Sequence, residues 1–280
     1  MEKVERPIIV PWDFSQVAEN AFQHAVNISK VVNREILLLH IVHEEREKDS
    51  KAIELKASAE KLAREYGKKP SFEVVSGSIF HAIGETAKEL KAEMIIMGTH
   101  GVKGAQKLFG SKALKVVVSS RIPFLVVQDK PAKKTIDTIL LPIDFKRENK
   151  EKANWIYYLA RNFGSKFIIL KSRAKDKGFK RKILSNIKYV ETFLKGHDVQ
   201  YEIVTASGKQ RFKKEIISFA KSHEADLILI MATRDINWAD YLLGAPEQYI
   251  LANPENLPIM CMNPRPAKLG SGFRASGGGG

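Results

Sequence analysis

Two stretches of the sequence bring together residues able to hold a phosphorylated ligand. The first is Gly98-Thr99-His100-Gly101-Val102-Lys103-Gly104, which runs on to Gly110-Ser111. Its glycines leave peptide N–H groups unshielded and open to dihedrals that other residues avoid. Ser111 opens a stretch of helical composition, where unpaired N–H groups and the helix dipole favour an anion. The second is Pro11-Trp12-Asp13, whose carboxylate can accept hydrogen bonds from a ribose or a base edge. The same residues have a plainer use, the glycines as a strand-to-helix loop and Ser111 and Asp13 as helix caps. Residue types alone leave the two uses evenly matched. His100 is the single histidine of the loop, and no carboxylate stands at a spacing that would make a metal site or a triad with it. It reads as a ligand-contact or surface residue. No nucleophile elbow and no Walker-type lysine follows the glycines, so no catalytic residue and no metal ligand is assigned.

These residues need elements to position them. Short aliphatic runs at Ile8 to Val10, Ile36 to Val42, Phe72 to Val75, Met94 to Met97 and Phe124 to Val127 predict strands apolar on both faces, as in a buried parallel sheet. Helical spacing marks Ala18 to Val31, Ala52 to Tyr66 and Ile79 to Leu90, with a shorter helix over Ser111 to Ser119. Alternating strands and helices with right-handed crossovers give an α/β, doubly wound parallel sheet. In such a sheet a ligand sits beyond the carboxyl ends of the strands where their order reverses, next to Asp13 and the glycine loop.

The whole pattern occurs twice. Ile8-Ile9-Val10-Pro11-Trp12-Asp13-Phe14 returns as Ile139-Leu140-Leu141-Pro142-Ile143-Asp144-Phe145, an offset of 131 residues. Ala92 to Met97 returns from Ala225 at an offset of 133, and Ile122 to Val127 returns as Leu257 to Met262 at 135. A period this long means duplicated domains, here 1–129 and 138–264, joined by a polar linker at 130–137 that contains Pro131. A flexible tail of Gly, Ser and Pro follows at 265–280, either native or left from expression. The second copy keeps Asp144 and an amphipathic stripe at Ile183, Ile187, Val190 and Leu194. It carries Met231-Ala232-Thr233-Arg234 in place of Gly98-Thr99-His100-Gly101, and Ala245-Pro246 after Gly244. Side chains there crowd a backbone that would approach phosphate, and Pro246 removes a donor. Asp144 is then a helix cap, and Trp238, Tyr241 and Tyr249 are packing residues.

The composition is that of an ordinary globular protein, with 44% apolar and 28% charged residues. A single cysteine, Cys261, excludes a disulfide framework and a cysteine zinc site, and suits a reducing cytoplasm. No signal-peptide pattern opens the sequence and no run is long enough to span a bilayer, so a cytoplasmic protein without a membrane partner is expected. The net charge of +14 divides with an excess of 22 basic over 17 acidic residues up to Lys134 and of 24 over 15 after it. The densest cluster, Lys171 to Lys182, holds one aromatic residue, Phe179, which is too little stacking surface to favour nucleic acid over a solvated face.

Taken together, Val10-Pro11-Trp12-Asp13-Phe14-Ser15, Leu38-Leu39-His40-Ile41-Val42, Ile96-Met97-Gly98-Thr99-His100-Gly101, Gly110-Ser111 and Pro123-Phe124-Leu125-Val126-Val127 closely resemble the universal stress protein family. The resemblance covers nearly all of residues 4–129 and, more weakly, 136–264. It implies two tandem five-stranded Rossmann-like domains of the adenine nucleotide alpha hydrolase type. It also implies ATP, with or without magnesium, in domain 1 only. Gly98, Gly101, Gly110 and Ser111 would lie around the phosphates and Asp13, Ile41 and Met97 near the adenosine, with Pro11, Trp12 and His100 beside them. ATP-binding members carry Gly-x2-Gly-x9-Gly-Ser/Thr, whereas here eight residues, Val102 to Phe109, separate Gly101 from Gly110. Trp12 replaces a small residue, and either stacks on adenine or fills the pocket. The resemblance further implies a stress sensor or regulatory module, not an enzyme, whose domains pair through Phe124 to Val127 and Pro258 to Met262, with a homodimer open to it. The rival expectations are a scaffold with closed pockets that recruits an acidic partner, and a slow ATPase.

Overall fold

A computed structural model describes residues 6–99, 122–128, 133–231, 246–251 and 253–262. The first half runs β1 (Ile8–Pro11), α1 (Gln16–Val32), β2 (Ile36–Val42), α2 (Lys48–Tyr66), β3 (Ser71–Ser76), α3 (Ile79–Glu89), β4 (Met94–Gly98) and β5 (Phe124–Val127). The second half repeats it with β6 (Thr138–Ile143), α4 (Ala153–Phe163), β7 (Lys166–Lys171), α5 (Lys177–Gly196), β8 (Tyr201–Thr205), α6 (Phe212–Ser222), β9 (Leu227–Met231), α7 (Pro246–Leu251) and β10 (Ile259–Met262). The fourth helix expected in the first half, Ser111 to Ser119, lies outside the described residues.

The strands form one sheet in the order β3-β2-β1-β4-β5-β10-β9-β6-β7-β8. Within each half the pairs are parallel, and the halves meet through the antiparallel pair β5–β10, with Met260 opposite Leu125. The last strands of the two halves therefore satisfy each other's backbone groups, as the family resemblance implied, and two sheet edges are covered. Along each strand the side chains alternate between two cores. Ile8, Val10 and Ile96 join Phe22, Leu55 and the buried stripe Ile183, Ile187, Val190 and Leu194 under α1, α2, α4 and α5. Ile9, Leu37, Leu39 and Met97 join Ile83, Ile216 and Leu251 under α3, α6 and α7. One expectation needs correction: β3 is not buried on both faces. It forms one rim of the sheet, as β8 forms the opposite one, and is half-exposed because no strand lies beyond it among the described residues.

Polar contacts fasten the ends of the strands and the junction of the halves. Glu93 is buried and pairs with Arg6 at 2.9 Å and Arg34 at 3.1 Å, while its counterpart Asp226 pairs with Lys133 and accepts from the Asp137 and Thr138 amides. Asn27 of α1 donates to the Lys133 carbonyl at 2.9 Å, and Gln128 reaches the Leu251 carbonyl. His24, also on α1, borders a cleft of about 310 Å³ between the halves, with Leu125, Ile136, Leu227 and Leu257 on its walls. Its Nε2 is buried without a hydrogen-bond partner among the described residues, and burial pushes the imidazole down to about 4. A histidine held neutral when folded and free to protonate when unfolded destabilises the fold as pH falls from 6.5 toward 4. A shift of this size corresponds to about 3 kcal/mol. Acid unfolding should therefore begin above the carboxylate range. In His24→Gln the loss between pH 6.5 and 4.5 should largely vanish, which urea unfolding at a series of pH values would measure.

Candidate functional site

The order of the sheet reverses between β1 and β4, and there the two strands part. They pair at Ile8↔Met94 and Ile9↔Ile95, whereas β1 stays paired with β2 through Pro11↔Leu39. The opening lies at the carboxyl ends, where this kind of sheet takes its ligands. Pro11, Ile41 and Met97 lie at or next to the carboxyl ends of β1, β2 and β4, Ile41 and Met97 on the face under α3. Asp13 follows β1 and is exposed. Its Oδ1 accepts from the Ser15 amide at 3.1 Å and from the Ser15 hydroxyl, and Ser15 in turn caps α1 by accepting from the Ala18 amide at 3.3 Å. Phe14 makes the bend with φ 64°. The carboxylate thus anchors the start of α1 with one oxygen and keeps the other free of protein hydrogen bonds among the described residues.

Trp12 is a correction. It does not stand with Pro11, Ile41 and Met97, because the alternation of β1 carries its ring to the opposite face, into the core with Val10, Phe22 and Leu38, where it is 6% exposed. Its Nε1 has no hydrogen-bond partner among the described residues. The main chain at Trp12 is fixed by donation to the Leu39 carbonyl at 2.9 Å and by His40 Nδ1, which donates to the Trp12 carbonyl at 2.7 Å. His40 thereby stiffens the turn into Asp13, and its ring lies against Phe14.

Gly98 ends β4 for a reason that needs no ligand. A Cβ there would stand 2.1 Å from the Val17 carbonyl oxygen and 2.9 Å from the Ala18 nitrogen, so the missing side chain lets the first turn of α1 lie on the strand. Thr99, next in the chain, is buried and donates to the Val127 carbonyl at 2.9 Å. His100, Gly101, Gly110 and Ser111 lie outside the described residues, as do Trp238 and Tyr241 of the second half.

At the same place the second half is built differently. Its strands also part, with β6 and β9 paired only at Ile139↔Leu227 and Leu140↔Ile228. Met231 replaces Gly98, and the chain after β6 forms a 3-10 turn, Arg147–Lys152, instead of starting an α-helix. Asp144 is not the helix cap that was expected, because Lys146 stands at the N-cap of the 3-10 turn and no side chain caps it; the Asp144 Oδ1 instead holds the approach to that turn, accepting from the Lys146 amide at 2.9 Å and from Asn149 Nδ2 at 2.7 Å. Asn186 of α5 donates to the Asp144 carbonyl at 2.9 Å. Lys152, where the first half has Ala21, is 2% exposed and donates to the Pro142 carbonyl at 2.6 Å. Burial pushes its ammonium down to about 8, against the pull of Asp144. This buried cation did not emerge from reading the sequence, although Ala21 opposite Lys152 in the duplication was the available signal. Tyr249 packs on the α6 and α7 side, with Lys213 5.1 Å from its ring centre, as a packing residue would.

Among the described residues no three His, Cys, Asp or Glu side chains gather as a metal site, and no helix is long and apolar enough to cross a membrane. The universal stress protein family profile matches residues 5–128. A universal stress protein of Methanocaldococcus jannaschii is 32% identical over 151 residues, 47% of this chain and 86% of that protein. A second from the same organism is 27% identical over 161 residues, 46% of this chain and 99% of that protein. The crystal structure of a universal stress protein from Archaeoglobus fulgidus superposes with a TM-score of 0.72 at 18% identity, covering 92% of this chain and 96% of the other. That superposition establishes the α/β, mostly parallel fold along both halves.

Proposed function

Because the chain belongs to the universal stress protein family, we propose that its first half binds ATP and that the molecule works as a stress-response sensor or regulatory module in the cytoplasm. The observation that carries this reading is the contrast between the halves at the point where the strand order reverses. In the first, an exposed carboxylate and an apolar bed border the opening; in the second, the carboxylate of Asp144 is engaged by Lys146 and Asn149, a buried Lys152 donates to the Pro142 carbonyl, and Met231 stands in the place of Gly98. On this proposal the adenosine lies against Pro11, Ile41 and Met97, with a ribose hydroxyl donating to Asp13. The peptide groups of Gly98, Gly101 and Gly110 with Ser111 and His100 hold the phosphates. Bound magnesium would neutralise phosphate charge. The second half, 138–264, serves as a structural partner to 1–129 across the linker 130–137. Since β5 and β10 already pair with each other, a homodimer would have to use another surface. We assign the chain no hydrolytic role.

Calorimetric titration with ATP, with and without magnesium, tests the proposal. One site per chain is expected, abolished by Gly101→Glu with the fold intact and unaffected by Arg234→Glu. Unchanged affinity in the first variant would overturn the site. A titration without heat would favour a scaffold of the same fold, and ADP accumulating with time would make the protein a slow ATPase.

A further inference from the structure

The duplication supplies an internal control for the surface. Helices α2 and α5 fill the same place, each crossing over from the central strands to the rim strand of its half, so whatever packing requires of one it requires of the other. Their buried sides agree: Leu55, Ala59 and Leu62 on α2, and Ile183, Ile187, Val190 and Leu194 on α5. Their outer sides do not. Helix α2 carries five cations and four acids, and Lys48, Lys51 and Lys61 are paired with Glu45, Glu54 and Glu19. Helix α5 carries six cations and one acid, and the one ion pair found for it among the described residues joins Lys195 to Glu191. Among the described residues Lys177, Lys180, Arg181, Lys182 and Lys188 have no ion pair, which leaves positive charge along about three-fifths of the helix.

The same outer side bears large apolar groups that the fold does not use. Leu184 is 57% exposed and Tyr189 47%, and Phe179 stands out near the start of the helix with its ring stacked on Phe145 at 4.3 Å. On α2 only Ile53 is comparably exposed among the described residues. Leu184, Lys188, Tyr189 and Phe193 line a shallow trough of about 620 Å³, closed at one side by Lys150, whose ammonium lies 5.5 Å from the Tyr189 ring centre. Solvation alone would favour lysines without exposed leucine and aromatic rings, and packing alone would favour the rings buried.

We propose that the outer side of α5 is a docking surface for an acidic, amphipathic segment of a protein partner, whose apolar side chains enter the trough while its carboxylates meet the surrounding lysines. Unpaired positive charge selects a negative partner and speeds its approach. The trough selects a partner with side chains to insert, in the manner of a helix laid into a groove. A nucleic acid is the poorer fit, because Phe145 and Phe179 stack on each other instead of offering free faces to bases. A bilayer is the poorer fit as well, since it meets a protruding apolar ridge better than a trough rimmed by charge.

The test uses the full chain and a fluorescein-labelled helical peptide of 20 residues, roughly five turns, with Leu and Phe at helical spacing on one side and Glu on the other. Vesicles of phosphatidylcholine with phosphatidylglycerol and an oligo-dT of similar length are the competing ligands. Saturable binding by fluorescence anisotropy is expected. It should weaken at least about tenfold in Leu184→Glu/Lys188→Glu and weaken with salt. The control Ile53→Glu should leave it unchanged, and circular dichroism would check that both variants fold. A peptide of the same composition with its apolar spacing scrambled should bind less tightly. The proposal is overturned if the peptide does not bind, if scrambling makes no difference, if Ile53→Glu weakens it equally, or if vesicles or oligo-dT bind more tightly through the same residues.

Discussion

Gly98→Ala is expected to destabilise the protein by about 3 kcal/mol, near the upper end of what overpacking costs in a protein interior. The estimate follows from what the new methyl group would meet. Its nearest neighbours are Val17 O at 2.1 Å, Val17 C at 2.4 Å and Ala18 N at 2.9 Å, all main-chain atoms that cannot turn aside as a flexible side chain would. Relief requires α1 to move off the sheet, and α1 is held there by Phe22, Ala21 and Ala25, all fully buried, and by Asn20, which donates to the Gln128 carbonyl at 3.2 Å. The second half illustrates the alternative: with Met231 on β9, the corresponding chain begins as a 3-10 turn and the α-helix starts only at Ala153. Urea unfolding would measure the loss. If Gly98→Ala unfolded at the wild-type urea concentration, the close approach of α1 to β4 would not be a determinant of the fold. The effect also separates two roles that one glycine can have, because a residue needed only for phosphate contact would lower ATP affinity and leave stability unchanged.

Much of the architecture was legible because it rests on regular spacing. The repeat of Ile8 to Phe14 at Ile139 to Phe145 announced two copies, the aliphatic runs announced strands, and the stripe from Ile183 to Leu194 announced a buried helix side. The β5–β10 pairing was an implication of the family resemblance, and it also covers two apolar edges. What escaped depends on neighbours distant in sequence. Trp12 directly follows a strand, and sequence does not say whether a ring at that place continues the alternation of Ile8 and Val10 or turns into the opening; the main-chain bonds to Leu39 and His40 keep the alternation. Gly98 looked like a ligand residue because glycine is blank in composition, and only the position of α1 shows what its missing side chain accommodates. Lys152 sits in the polar run Arg147-Glu148-Asn149-Lys150-Glu151-Lys152, which reads as solvated surface until the 3-10 turn carries its last residue inside.

That inward lysine leads to a second large effect, visible in pH. In the unfolded chain a lysine ammonium titrates at its ordinary value near 10.5, whereas in the fold burial holds Lys152 at about 8. Between these values the unfolded state binds more protons than the native state, so the Lys152 contribution to stability rises with pH across that window and is constant and unfavourable below it. The full difference is about 3 kcal/mol, and about 2 kcal/mol of it falls between pH 7.5 and 9.5. Lys152→Met keeps the length of the side chain and removes the titration. It also removes the hydrogen bond to the Pro142 carbonyl, a loss of about 1 kcal/mol or somewhat more that does not depend on pH. The stability difference between variant and wild type should therefore change by about 2 kcal/mol over that interval, with Met the more favourable at the lower pH. Subtracting one protein's curve from the other's cancels the tyrosines, which ionise higher in both. A difference that stays flat with pH would mean that Lys152 is solvated in the folded protein.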